Sequence, residues 1–527
     1  MNTVEKHNRI FTVLLGVFIY CALFLIFLFN FFGADDYSMQ VDEIAQNCAN
    51  GLDFSFRYGN GRFLGNLSLY YFNYYPITRM IIKPLALTLL VFCLHYVFEI
   101  KALWLKIVTA LIVIFPSSGF YSSCYSINAC FGNYVLPVTN IFLCLALIKA
   151  IKMKKRKVNF LLYFFLLLAS VCMQLYSENS TIVFLVAAVF FVAYDLIASK
   201  KVYLCDAVFL IGGIAGAVIM YIIPRIADNL IINNTEMSEY RKVVLNIPFS
   251  VGVIAKFAEN ISTAFLLFII SGLLLIFIVK KESPNDKYKF WHILISAVYP
   301  MVCLLYQLIQ TGETKVNSNV KLALLALMGL FLLNAFIIIL RFIKPIRVKT
   351  FLIFMTVIFA MSVGMFMFVN LHGYRTFYLS LFILFSIILY LAQYIFKTYN
   401  LKIEHVRVKQ LNCIAAVVMV CFVGLLQFQT IQNYDFFAMR QEYVDIKIDG
   451  GCKDISVSKV PNTNLVRDEW VEFYKAFYTK NAPDVKITFV DGEEWSWYWK
   501  YRSMLDNPIT SVTYAIEHLG YGNNDGS

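Results

Sequence analysis

The stretch "IFTVLLGVFIYCALFLIFLFNFFGADD", residues 10–36, decides how the rest of the chain is read. Ile10 to Phe32 carries no charge, and at about 1.5 Å of rise per residue it is long enough to cross a hydrocarbon core of about 30 Å. It then stops abruptly at two adjacent aspartates, Asp35 and Asp36. The preceding "MNTVEKHNR" brings two basic residues, as a secretory signal would, but the apolar run is too long for one and ends without a small-residue cleavage site. The segment therefore predicts a retained first span, with the aspartates just beyond its outer end.

Working outward, the 527-residue chain is 60% hydrophobic, 17% aromatic and only 15% charged, far below the charge content of about 25% usual in soluble domains. Apolar runs recur along it and predict an all-α polytopic membrane protein of about 13 transmembrane helices. A net charge of +12 would point to nucleic acid in a soluble protein, but here the basic residues collect in particular loops. "IKMKKRKV", "SKK", "VKKESPNDKYK", "RFIKPIRVK" and "KTYNLKIEHVRVK" all fall on the side that also holds the N terminus. The positive-inside rule makes that side cytoplasmic, so the reading is a multi-pass protein of the cell membrane, lipid rather than nucleic acid being its surroundings. Of the 12 cysteines most lie in or beside apolar spans; Cys124 and Cys130, close together in an outer loop, are a candidate disulfide, and no Cys/His spacing fits zinc.

An odd number of spans divides the chain into a membrane domain, residues 1–430, and an extracytoplasmic C-terminal domain, residues 431–527. In the tail "RDEWVEFYKAFYTKN" and "EEWSWYWKYRSML" have helical spacing, and "DVKITFVDG" reads as a strand entering a turn, which predicts a small α/β domain. The outer loop 33–76 holds "RYGNGRFLGNLSLYYFNYYP", where Phe63, Leu64, Leu67, Tyr70 and Tyr71 recur at helical spacing against Asn66, Ser68 and Asn73. That pattern suits a helix lying in the membrane interface.

Polar clusters with chemical potential come from the ends of different spans and fall on the outer side: Asp35 and Asp36, "NGR" from Asn60 to Arg62, "SSCYSINACFGN" at 122–133, "YSENS" around Glu178, "TGETK" at 311–315, and "NLHGYR" with His372, Tyr374 and Arg375. A second long outer loop, residues 224–260, adds Arg225. Ionisable residues at one face describe a cavity at the membrane boundary, whereas a transport path would place them at mid-depth. Gln174 and Asn334 lie within spans and read as helix-to-helix hydrogen bonds.

Successive helical residues point about 100° apart, so the two aspartates do not aim at one atom. One faces the cavity while the other caps a helix or binds a cation; the competing reading makes both solvated charges at a loop start. A carboxylate at this boundary can take the proton from an attacking sugar hydroxyl. Arg62, Arg225 and Arg375 are candidates for gripping a lipid phosphate, which guanidinium does with two parallel hydrogen bonds, against the plainer reading of snorkelling to headgroups. Trp495, Trp497, Tyr498 and Trp499 either stack on sugar rings or dock the tail onto the membrane domain.

A first span ending in an acidic pair, a long first outer loop with an interfacial helix, and an outer C-terminal domain together resemble the GT-C superfamily of integral-membrane glycosyltransferases. More narrowly, "ADDY", "NGRFLGN", "SENS" and "GYR" are similar to a bacterial branch related to the glucosyltransferases that decorate O-antigens and cell-wall polymers. The resemblance implies a sugar donor linked to polyprenyl phosphate, a cell-envelope glycan acceptor, and inversion at the anomeric carbon with Asp36 or Asp35 as general base. It places donor phosphate on Arg62, Arg225 and Arg375. Asn60, Glu178, His372 and Tyr374 are candidates for substrate contact. No metal and no cofactor is expected. Two rival readings are a transporter or flippase of lipid-linked glycan, and a polysaccharide polymerase or ligase.

Overall fold

A computed structural model describes residues 3–30, 36, 47–57, 61–153, 160–231, 262, 264–282, 285–310, 318–364, 374–401, 405–462, 465–466, 484–490, 495–497 and 513–514. Nearly all of them are helical, and they form two compact units: residues 1–139 with 405–527, and residues 140–404. Among the described residues ten helices are long and apolar enough to cross a membrane, or eleven if the bent pair Leu103–Ile114 and Ser118–Tyr125 counts as one span. The chain is an all-α polytopic membrane protein with a small strand element near its C-terminal end.

The first unit is built on α1 (Thr3–Leu28), a short loop helix α2 (Gly51–Arg57), α3 (Phe63–Tyr74), α4 (Pro76–Val97), α5 (Leu103–Ile114), the start of α6 (Asn128–Met153), and the long last helix α15 (His405–Asp449). Leu23, Ile26 and Phe27 of α1 are buried while Leu14, Val17 and Phe18 on its other face are exposed, as expected of a helix with lipid on one side. After α5 the chain bends by 52° before Ser118–Tyr125. The cause is local: Pro116 forces Phe115 out of the helical region, to φ −144° and ψ 84°. Ser117 then restarts the helix by accepting the Phe120 N–H on its hydroxyl, and two π-helical turns follow at Tyr121–Tyr125 and Phe131–Val135.

Helix α3 turns its polar face inward. Asn66 and Asn73 are buried together with Tyr70 and Phe72, while Leu64, Leu67 and Tyr71 remain partly exposed. That is the reverse of a soluble amphipathic helix, and it suits a helix with polar protein on one side and lipid on the other.

Helix α15 runs without interruption through residue 430, where the domain boundary is expected from sequence, and on to Asp449. Its extension carries β1 (Asp454–Ser458) and β2 (Lys486–Val490), paired in parallel from Asp454 with Lys486 to Ser458 with Val490. Arg440 on α15 is completely buried; it donates to the Ser458 carbonyl at 3.1 Å and lies over the rings of Phe437 and Phe489, which ties the sheet to the helix. Trp495 is 1% exposed and packs on Phe436 and Tyr443 of α15, while Trp497 packs on Tyr443. These two tryptophans dock the tail. The two expected tail helices and Trp499 lie outside the described residues, apart from short fragments.

The second unit contains α7 (Phe160–Cys172), α8 (Glu178–Ser199), α9 (Leu204–Ile231), α10 (Phe265–Glu282), α11 (Lys289–Gln310), α12 (Ser318–Phe342), α13 (Ile346–Gly364) and α14 (Tyr378–Thr398). Lipid removes the usual hydrophobic drive between helices, so close packing and interhelical hydrogen bonds take its place. Gly212 and Gly216 let α9 sit directly on Ser170, Val171 and Gln174 of the α7 region, and Gly272 of α10 lies against the Ser296 carbonyl of α11. Asn334 of α12 donates to the His292 carbonyl at 3.1 Å and to the Ser296 hydroxyl at 2.9 Å, an interhelical clasp. Gln174 is fully buried, with neither side-chain polar atom hydrogen-bonded.

The basic loops meet at one end of this unit. Lys152 pairs with Asp195 and with Asp206 at 2.8 Å, Arg347 donates to the Ala198 carbonyl, Arg341 pairs with Asp286 at 3.0 Å, and Lys344 with Glu282 at 3.3 Å. The Tyr399 hydroxyl completes the set by donating to Glu282 at 2.7 Å. Residues of four of the basic stretches, and Ala198 beside the fifth, thus take part in these contacts.

Candidate functional site

The site is assembled where α1 ends. Asn30 donates to the Ser126 carbonyl at 3.0 Å, tying the exit of α1 to the turn before α6. Helix α6 begins at Asn128 after Ile127, whose backbone is extended (φ −93°, ψ 121°) and whose side chain has no oxygen to offer the first N–H groups. Asp36 supplies that oxygen from 92 residues earlier: Oδ2 accepts the Asn128 N–H at 3.0 Å and Oδ1 accepts the Ala129 N–H at 3.2 Å. A carboxylate at the start of a 26-residue helix also meets the positive end of its dipole.

Around this cap lie two buried cations. Arg79 and Lys83 stand four residues apart, on one face of α4, and are 3% and 0% exposed. Asp36 acts on both electrostatically as their neighbouring anion. The Lys83 ammonium donates to the Tyr125 carbonyl at 3.0 Å and is surrounded by the rings of Phe27, Phe72 and Phe131 at 5.2, 5.8 and 5.2 Å. Asn128 extends the network by donating to Asn73 of α3 at 2.6 Å. Tyr434 of α15 is a further electrostatic neighbour of Arg79 and packs edge-on against Phe29. Five separated stretches of sequence therefore converge on one completely buried carboxylate. Charges this dry are tolerated only when paired and hydrogen-bonded.

Among the sequence-derived candidates, Asp36 alone belongs to this cluster as described. Arg62 is partly buried directly before α3, following Gly61, whose φ of 84° favours glycine. Tyr374 and Arg375 are partly buried in the 3₁₀ turn Tyr374–Phe377 that leads into α14 of the second unit. Glu178 opens α8 and Arg225 lies in α9, both in the second unit, with side chains outside the description. Asp35, Asn60 and His372 are outside the described residues. The chain forms no disulfide at Cys124 and Cys130, which are both buried thiols.

Arg79 and Lys83 were not singled out by sequence reasoning, whereas Asn73 was read as part of a polar helix face and Asn128 falls in the polar cluster at 122–133. The two cations had a signal: "ITRMIIKP" places them one helical turn apart at the start of an apolar run, and ionisable residues inside a span are functional or paired by default. Outside the spans, the Asp53 carboxyl of α2 is held below the usual carboxylate range by the Ala49 N–H at 3.1 Å and by Arg57 at 2.7 Å. Among the described residues no group of three His, Cys, Asp or Glu side chains gathers as metal ligands.

Fold and site define the class: a polytopic α-helical membrane protein with a charged network buried where its first span ends. No protein-family model matches the chain, and no curated protein matches it.

Proposed function

We propose that the protein is a glycosyltransferase of the outer face of the cytoplasmic membrane, moving a sugar from a polyprenyl-phosphate donor to a cell-envelope glycan with inversion. The observation that carries this reading is the buried Asp36 clamp. It holds the end of α1 against the start of α6, beside the cations of α4, where the acidic pair of the sequence lies. A carboxylate that already accepts two backbone N–H groups is a weakened base. In this reading Asp36 is the anchor and Asp35 the general base.

The acceptor hydroxyl attacks the sugar's C1 as its proton passes to the Asp35 carboxylate. The bond from C1 to the phosphate oxygen breaks with its electron pair leaving on polyprenyl phosphate. Arg62, Arg225 and Arg375 are assigned to that developing charge, where fixed cations contribute most to rate. Asn60, Glu178, His372 and Tyr374 are assigned to substrate contact. The gathering of basic loops at one end of the second unit supports an orientation with that end in the cytoplasm.

The bent pair at Pro116 favours a second reading, because discontinuous helices mark the binding sites of many transporters. One experiment separates the two. Proteoliposomes holding the purified chain are given radiolabelled polyprenyl-phosphate sugars with and without envelope glycan. Label appearing on glycan supports the transferase; label crossing the bilayer while still on lipid supports transport and removes the transferase reading.

A further inference from the structure

Helices α8 and α13 of the second unit lie side by side, and the faces they leave toward the membrane are complementary. On α13, Arg347, Phe351, Phe354 and Ile358 recur at spacings of four, three and four, which places them along one helical face. On α8, Phe190 and Tyr194 do the same one turn apart, and Phe190 stacks on Phe354 at 4.7 Å while Tyr194 meets Phe351 edge-on at 6.2 Å. Between them runs a shallow open groove lined by aromatic and other apolar side chains, with Tyr194 and Met355 among them.

The groove is apolar along its length and basic at one end. Its lining on α13 runs from Phe351 to Ile358, about 10 Å along the helix axis, and Arg347 lies one turn beyond Phe351. Arg347 marks the end where the basic loops gather. Its guanidinium is exposed and is positioned by one long contact, Nε to the Ala198 carbonyl at 3.4 Å. Among the described residues it has no carboxylate partner, unlike its neighbours Arg341 and Lys344. The nearby Asp195 is engaged by Lys152. Asp195, Arg347 and Lys152 all act electrostatically on the Tyr194 hydroxyl, Asp195 ahead of the two cations, so both signs of charge stand near the groove's mouth and Arg347 is the cation there not engaged by a carboxylate among the described residues.

We propose that this groove is a binding site for an anionic glycerophospholipid, with one acyl chain laid against Phe190, Phe351 and Phe354 and the headgroup phosphate on the Arg347 guanidinium. Arg347 selects the headgroup, because a planar guanidinium with unengaged N–H groups grips phosphate, while the aromatic walls take the adjoining part of an acyl chain. The inference is independent of the transferase reading.

The test is native mass spectrometry of the full chain in detergent, titrated with dioleoyl phosphatidylglycerol and, separately, with dioleoyl phosphatidylcholine. A single retained phosphatidylglycerol adduct is expected, with little phosphatidylcholine. Arg347→Gln should weaken retention about fivefold, the effect of one interfacial cation. Arg347→Lys, which keeps the charge but lacks the planar fork, should restore only part of it, and Met355→Trp, which fills the groove, should abolish it. Equal retention of both lipids, unchanged binding by Arg347→Gln, or selective uptake of polyprenyl phosphate over phosphatidylglycerol would each overturn the proposal. Arg347 is exposed, and thermal unfolding of each variant confirms that the comparison is made between folded proteins.

Discussion

The Asp36 carboxylate accepts the Asn128 backbone N–H at 3.0 Å, joining the end of the first span to the beginning of another across 92 residues of sequence. The bond is the hub of a buried network rather than a surface cap. Its removal should act on two scales. Asp36→Ala deletes both acceptors of the α6 start and leaves Arg79 and Lys83 buried without their neighbouring carboxylate, at an expected cost of about 3–5 kcal/mol. Asp36→Asn keeps one acceptor oxygen and should cost less. Thermal unfolding in nanodiscs orders the variants; equal midpoints for wild type and Asp36→Ala would mean that the clamp contributes nothing.

Glycines at the α7–α9 contact provide a second measurement. A Cβ on Gly216 would stand 2.5 Å from the Val171 carbonyl, a backbone atom that moves only if the helix moves. Gly216→Ala should therefore destabilise by about 1–3 kcal/mol through overpacking. Gly329 has nothing within 4 Å of such an atom, so Gly329→Ala should be neutral or stabilising by up to about 1 kcal/mol. The pair of unfolding midpoints checks both signs together.

The tail should loosen when its anchor is removed. Trp495 is 1% exposed between Phe436 and Tyr443, and truncating a buried aromatic of this size costs about 3–5 kcal/mol. Trp495→Ala should leave the membrane helices intact while limited proteolysis cuts between residues 450 and 527 many times faster than in wild type. Unchanged cleavage would remove the docking role.

Much of the fold could be read in the sequence because a membrane span declares itself by length and absence of charge. The long apolar helices are there, ten or eleven of them among the described residues being long and apolar enough to cross, against the expected number of about 13. The strand in "DVKITFVDG" was legible from its alternation, which β2 realises at Lys486–Val490. Its partner Asp454–Ser458 was not, since five residues beside charged flanks give too little pattern. The uninterrupted passage of α15 through residue 430 was hidden because its polar continuation no longer resembles a span. At the site, a local reading of the acidic pair leaves open which aspartate does what. Asp36 acquires its role only from Asn128 and Ala129, and that is a contact between distant segments.

Orientation offers a check that does not depend on activity. The salt bridges of Arg341 with Asp286 and Lys344 with Glu282 hold basic loops at one end of the second unit. With that end cytoplasmic, alkaline phosphatase fused after Lys344 should be inactive, while the same enzyme fused after Gly450 should be active. The opposite pattern would invert the protein and place the Asp36 network on the cytoplasmic side.

In the proposed reaction Asp35 is the base and Asp36 the anchor. The rate of labelled-sugar transfer from polyprenyl-phosphate donors by purified Asp35→Asn and Asp36→Asn, each normalised to folded protein, separates the two roles. Asp35→Asn should unfold at the wild-type temperature and lose transfer, whereas Asp36→Asn should unfold earlier but retain transfer per folded molecule. Full transfer by Asp35→Asn, with transfer lost in a folded Asp36→Asn, would contradict this assignment.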